Sequence, residues 1–263
     1  MTDRNNAANL PSLVFVHGGC HSGESWRETL AALRARRPDI SAFAIDLPGR
    51  GENSGDLATL TVDACVESVV EQIDNRVGSG TPVVLIGHSM AGVIIPRVVD
   101  RLGDSRVQRV ISVACNMPPA GKSILDNLPP VVRVLASQVL RTPVIERVPS
   151  GISRFIFGNK ATGAQRARIR QCACRESKAL LTTKVKDYES LATIPVGWVL
   201  PMSDRACPPR RQRASMSALK SVDRVATVDA GHEVLITHPD EVARHILVMV
   251  DQYAPDRNQV SDK

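Results

Sequence analysis

The chain has 263 residues, 43% hydrophobic and 23% charged, a composition that excludes a disordered or fibrous protein and fits one ordinary globular domain. A formal charge of +6 would point to an anionic partner if the cations were gathered, but Lys and Arg run from Arg4 to Lys263 among acids. The densest groups, at 166–175 and 210–213, carry no interleaved aromatics, so solvated helix faces are expected and not a nucleic-acid surface. The opening MTDRNNAANLPS lacks a basic region followed by an apolar run, and no stretch approaches the roughly 20 apolar residues of a membrane span. A soluble, cytoplasmic protein with reduced thiols is the expectation.

In chain order, Val- and Ile-rich runs bounded by Gly, Pro or Asp alternate with segments of helical period, the pattern of βαβ units around a parallel sheet covered on both faces. Strands are expected at 12–16 (SLVFV), 40–45, 83–87 (VVLIG), 107–114, 195–200 (PVGWVL) and 222–228. Helices are expected at about 25–37, 61–77, 90–102, 209–219 and 239–252. The first stops before Pro38, because the residue preceding a proline is pushed out of helical conformation. The last opens on Pro239, Asp240 and Glu241, where a first turn favours fixed φ and negative charge. Residues 254–263 read as a frayed tail.

Residues 116–190 break this rhythm. A crossover needs only a dozen or so residues, yet here the next strand is delayed through a Pro-rich stretch and helical pieces broken at Pro143, Pro149, Gly151 and Gly158. We expect a single α/β domain over 1–263, a mostly parallel sheet of about six strands with helices on both faces, and a helical cap insertion at about 116–190 roofing the carboxyl ends of the strands, where ligands bind in open parallel sheets.

The chemistry is concentrated at three of those ends. Gly87-His88-Ser89-Met90-Ala91 lies between an expected strand and an expected helix, the context in which G-x-S-x-G/A forms a strained elbow that exposes a serine. A hydroxyl needs a base to take its proton, and in this arrangement the acid and then the histidine follow the serine along the chain. His232, in the loop after the last strand, fits the base; His238 and His245 read as capping or surface residues, and His88 as structural. Asp204, in the loop after the preceding strand (LPMSDRACPP), fits the acid that orients His232, ahead of Asp223 and Asp229 at the ends of the next strand. The oxyanion needs two N–H donors: Met90, and Gly19 in HGGCHSGESW, with Cys20 the alternative to Gly19. His17 and His21 are expected to brace this loop. Cys172 and Cys174 form C-x-C, but no second pair at zinc spacing accompanies them, so a metal site is not expected.

The motifs FVHGGCHSGESW, AIDLPGRGENS, VVLIGHSMAG, FIFGNK, LPMSDRACPP and DAGHEVLITHP, in order over nearly the whole length, resemble those of α/β-hydrolases of the plant methylesterase and hydroxynitrile lyase type and their bacterial relatives. The resemblance implies carboxylester hydrolysis through an acyl-enzyme by Ser89, Asp204 and His232, without cofactor or metal. Hydroxynitrile lyases of this group use a threonine in the oxyanion loop and a lysine directly after the histidine; Gly18 and Glu233 stand there in this chain, which turns the expectation away from cyanohydrin cleavage. The expected function is that of an esterase or lactonase for a small or medium, largely apolar ester, with water as second reactant and secondary metabolism as one setting. A non-hydrolytic protein on the same scaffold, a ligand receptor or a cyclase or C–C lyase using His232 as base, is the competing expectation. Oligomeric state is not legible.

Overall fold

The computed structural model describes residues 11–251. Residue 252, the end of the last expected helix, and the expected tail at 254–263 lie outside the described residues. In chain order the elements are β1 (Ser12–Val16), α1 (Arg27–Arg36), β2 (Ala42–Ile45), α2 (Val62–Val77), β3 (Val83–His88), α3 (Ile95–Leu102), β4 (Val107–Val113) and α4 (Pro130–Val139). There follow β5 (Val144–Ile145), α5 (Ser150–Ile156), α6 (Gly163–Cys172), β6 (Glu176–Ser177), α7 (Lys178–Thr182), β7 (Val196–Pro201), α8 (Pro209–Leu219), β8 (Val222–Val228), α9 (Val234–Thr237) and α10 (Pro239–Asp251).

Six strands form one sheet in the order β2-β1-β3-β4-β7-β8, every neighbouring pair parallel. Successive side chains on a strand point to opposite faces, so each apolar strand supplies two cores. Val14, Val16, Leu85 and Trp198 pack on one face with Val66, Val69 and Ile73 of α2 and Val98 of α3. Leu13, Phe15, Ile86 and Val199 pack on the other with Leu33 of α1 and Val242 and Ile246 of α10. The chain leaves β1 for β2 on one side and returns to β3 on the other, so the order reverses between β1 and β3. Such switch points open a crevice at the strands' carboxyl ends.

The elbow departs from the expected continuous helix at 90–102. Residues Ser89–Val93 form a 3-10 turn, and α3 begins only at Ile95. Pro96 explains the break, since it has no N–H to give the Gly92 carbonyl and so cannot extend a 4-residue ladder back to the elbow. A 3-10 turn at Gly23–Trp26 likewise precedes α1.

Between β4 and β7 the chain builds α4 to α7 and a small antiparallel pair, β5 with β6. Residues of α4, β5, α5 and α7 line the cavity above Ser89, while Ile169 and Cys172 of α6 pack into the core on the face of α1 and α10. Among the described residues, no helix is long and apolar enough to cross a membrane.

Candidate active site

Ser89 sits where β3 ends, with φ at 51°. That left-handed conformation is strained for a residue with a Cβ, and it persists only where the surroundings enforce it. The Asn116 amide, from the loop after β4, donates to the Ser89 carbonyl at 3.0 Å and is one such restraint. Crowding is the other: a Cβ on Gly87 would lie 2.4 Å from Cδ1 of Ile95.

The Ser89 hydroxyl lies 2.9 Å from Nε2 of His232, and Nδ1 of His232 lies 2.8 Å from Oδ2 of Asp204. Asp204 can only accept when ionised, so Nδ1 carries the proton and Nε2 is left with a lone pair for the Ser89 O–H. Both carboxylate oxygens of Asp204 are engaged: Oδ1 accepts from the Cys207 amide at 2.8 Å, and Oδ2 also accepts from Nε2 of Gln212 at 3.1 Å. Gln212 is itself oriented by the Trp198 indole N–H, which donates to its Oε1 at 2.8 Å. Sequence reasoning missed Gln212, because a glutamine on a basic, mostly exposed helix carries no motif.

Burial disfavours the His232 imidazolium, but the Asp204 charge, its hydrogen bond and the neighbouring Glu233 charge outweigh it, so the His232 pKa is raised above the ordinary histidine value. Glu233 is itself buried beside His21 and His88. Burial opposes its ionisation, and the surrounding imidazoles of His21, His88 and His232 more than offset this, so its pKa is lowered. His88 faces away from the serine hydroxyl: its Nε2 donates to the His232 carbonyl at 3.1 Å, and burial pushes its pKa down to about 3. Its ring also meets Trp26 edge-on at 6.3 Å. His88, His232 and Glu233 could gather around an ion, their ligand atoms lying within 4.8 Å of one another. Both nitrogens of His232 are taken by Asp204 and Ser89, which removes it from any such ligand set.

The loop after β1 is held tightly. His17 Nε2 accepts from the Leu47 amide at 3.1 Å, so its Nδ1–H is free to donate to the Gly18 carbonyl at 2.8 Å. His21 Nδ1 donates to the Gly19 carbonyl at 3.0 Å. Gly18 leaves no room for a side chain: a Cβ there would lie 2.7 Å from Nδ1 of His88. The Cys20 amide, the alternative to Gly19 as oxyanion donor, donates to Oε2 of Glu176 at 2.9 Å and is thereby occupied. The Cys20 thiol stays protonated, since burial pushes its pKa up to about 12. The Gly19 amide has no hydrogen-bond partner among the described residues, and Met90 lies at a helical start where N–H groups are free of intrahelical bonds.

Glu176 was not legible in the sequence. It comes from β6, is fully buried, and pairs with the equally buried Arg50 guanidinium from the loop after β2. A short C-R-E-S run gives no sign that its acid will be carried into the core.

Above the serine lies a cavity of about 110 Å³, walled by Ile124, Leu128, Val132, Leu140, Ile156 and Phe157 among others. An apolar cavity of about 150 Å³ takes a benzene ring, so this smaller space suits a small apolar group.

An elbow serine after β3, an aspartate after β7 and a histidine after β8, at the carboxyl ends of a doubly covered parallel sheet, define an α/β-hydrolase. The chain belongs to the alpha/beta hydrolase family, whose model matches residues 13–245. Over 88 residues it is 42% identical to protein phosphatase methylesterase 1 of Mus musculus, covering 32% of this chain and 22% of that protein. Over 126 residues it is 30% identical to the carbendazim hydrolyzing esterase of Nocardioides sp. strain SG-4G, covering 46% of this chain and 48% of that one. The matched stretches thus span less than half the length of either relative. Among solved structures, an extracellular alpha/beta-hydrolase from a Paenibacillus species superposes with a TM-score of 0.78 at 22% identity, covering 90% of this chain and 98% of that one. At that identity the likeness speaks for the fold.

Proposed function

We propose that this protein is a serine carboxylester hydrolase, an esterase or lactonase acting through an acyl-enzyme on a small or medium, largely apolar ester. The observation that carries the reading is the unbroken chain from Ser89 Oγ through His232 to Asp204, with links of 2.9 and 2.8 Å, opening onto an aliphatic cavity. His232 takes the Ser89 proton as Oγ attacks the ester carbonyl, and Asp204 stabilises the imidazolium. The Gly19 and Met90 amides hold the oxyanion, a contribution commonly worth about 3–4 kcal/mol per donor. His232 returns its proton to the departing alcohol, then activates the water that releases the acid. The chemistry calls for ester and water alone. Ester-cleaving names among the matched relatives support the same substrate class. The proposal treats 1–263 as one α/β-hydrolase domain roofed by the 116–190 insertion. It also sets the protein in the reducing cytoplasm, which its six free thiols suit.

The test is burst hydrolysis of p-nitrophenyl esters with covalent labelling by a fluorophosphonate. Wild-type protein is expected to show both, and Ser89→Ala neither, with kcat lowered by roughly 10⁶-fold. Labelling that persists in Ser89→Ala overturns the reading. So does native turnover that survives Ser89→Ala and is abolished by His232→Ala, the outcome expected of a cyclase or lyase using the imidazole as base.

A further inference from the structure

Asn116 is the exception in the wall of the cavity. It follows β4, is 2% exposed, and lines the space beside Ser89, where most other lining side chains outside the triad are aliphatic. The orientation of its amide is fixed from outside. Arg211 Nη1 donates to Oδ1 of Asn127 at 3.3 Å, and a guanidinium cannot accept, so the Asn127 oxygen must face it. Nδ2 of Asn127 then donates to Oδ1 of Asn116 at 2.7 Å. This settles which end of each amide is which, the question that ordinarily stays open for asparagine. Nδ2 of Asn116 is left with two N–H donors and no hydrogen-bond partner among the described residues.

Nδ2 is not sealed off but open to the cavity, so water pairs with it when the site is empty, and a ligand that displaces this water without supplying an oxygen leaves the donor unpaired. We infer that Asn116 is a specificity residue whose Nδ2 binds a further oxygen acceptor, a ketone, ether or hydroxyl oxygen, carried within a few bonds of the reacting ester. The substrate is then an apolar ester with one such oxygen, and a pure hydrocarbon ester of equal size leaves the amide unpaired. The inference rests on the esterase reading for its chemistry but not for its binding. Asn116 acts on recognition and takes no proton.

Two readouts separate the inference from that reading. In full-length protein, kcat/KM for p-nitrophenyl levulinate and p-nitrophenyl pentanoate is compared, each divided by its own rate with hydroxide. The levulinate is expected to be favoured roughly three- to tenfold, the range of one neutral hydrogen bond. Asn116→Leu is expected to bring the ratio to about one. Asn116→Asp, which keeps an oxygen for Asn127 and removes the donor, is expected to do the same should the leucine variant fail to fold. In Ser89→Ala, calorimetry with butyl levulinate and butyl pentanoate reads the same ratio as Kd without turnover. Loss of hydrolysis with the Kd ratio intact counts against the esterase reading alone. Equal Kd values in Ser89→Ala, or a preference that survives both Asn116 variants, overturn the inference.

Discussion

The floor and the roof of the cavity solve opposite problems. The floor, at the carboxyl ends of β3, β7 and β8, is polar, and nearly every polar atom of Ser89, His232 and Asp204 has a named partner. The roof between β4 and β7 is apolar and touches the space through interchangeable aliphatic groups such as Val132 and Leu140. Two of its valines on α4, Val131 and Val134, are turned to solvent. Directional hydrogen bonds fix atoms to within tenths of an ångström, while apolar contact fixes only volume and shape. Under the proposed function, reaction chemistry belongs to the floor and substrate breadth to the roof, with Asn116 the point where the roof's generality ends.

That contrast can be broken or sharpened. The largest effect in the floor short of losing the nucleophile is expected from Asp204→Asn, which turns His232 to the wrong tautomer and lowers kcat by roughly 10⁴-fold with little change in folding. A loss below tenfold would deny Asp204 its orienting part. Next comes Glu176→Gln, at the seam between the two regions. It strips Arg50 of its buried counter-charge, and breaking such a pair costs about 3–5 kcal/mol. Urea unfolding is expected to show that loss, and kcat is expected to fall more than KM rises, because the Cys20 amide loses the charge that anchors the oxyanion loop. Unchanged stability would place the pair outside the fold's core. The smallest effect is expected from Glu233→Gln. Glu233 raises the His232 pKa, and catalysis needs the neutral imidazole, so removing the charge moves the acid limb of the kcat/KM profile to lower pH. A limb that moves upward or stays fixed would show that Glu233 does not reach His232 electrostatically.

The sheet was legible because its strands are short, apolar and punctuated, so expected and observed boundaries agree within two residues at every strand. That Ser89, Asp204 and His232 converge was legible because their order along the chain follows the order of strand ends they occupy. What sequence hid was whatever depends on partners far along the chain. Glu176 meets Cys20 across 156 positions, and the Asn127 amide that orients Asn116 is itself set by Arg211, 84 positions on; Gln212 lies only eight residues from Asp204 but carries no motif. The broken start of α3 could have been read from Pro96, whose missing N–H sets where an α-helical ladder can begin.

The chain has two tryptophans, which lie on opposite faces of the sheet and each reach the site through one intervening side chain. Trp198 is joined to Asp204 through the Gln212 amide, and Trp26 rests edge-on against His88, which holds the His232 carbonyl. Both indoles are fully buried, so their ultraviolet emission responds to charges in the surrounding core and little to solvent. A change of charge on His232 is therefore expected to alter the emission of these two indoles, which a pH titration of the unlabelled protein would read as light.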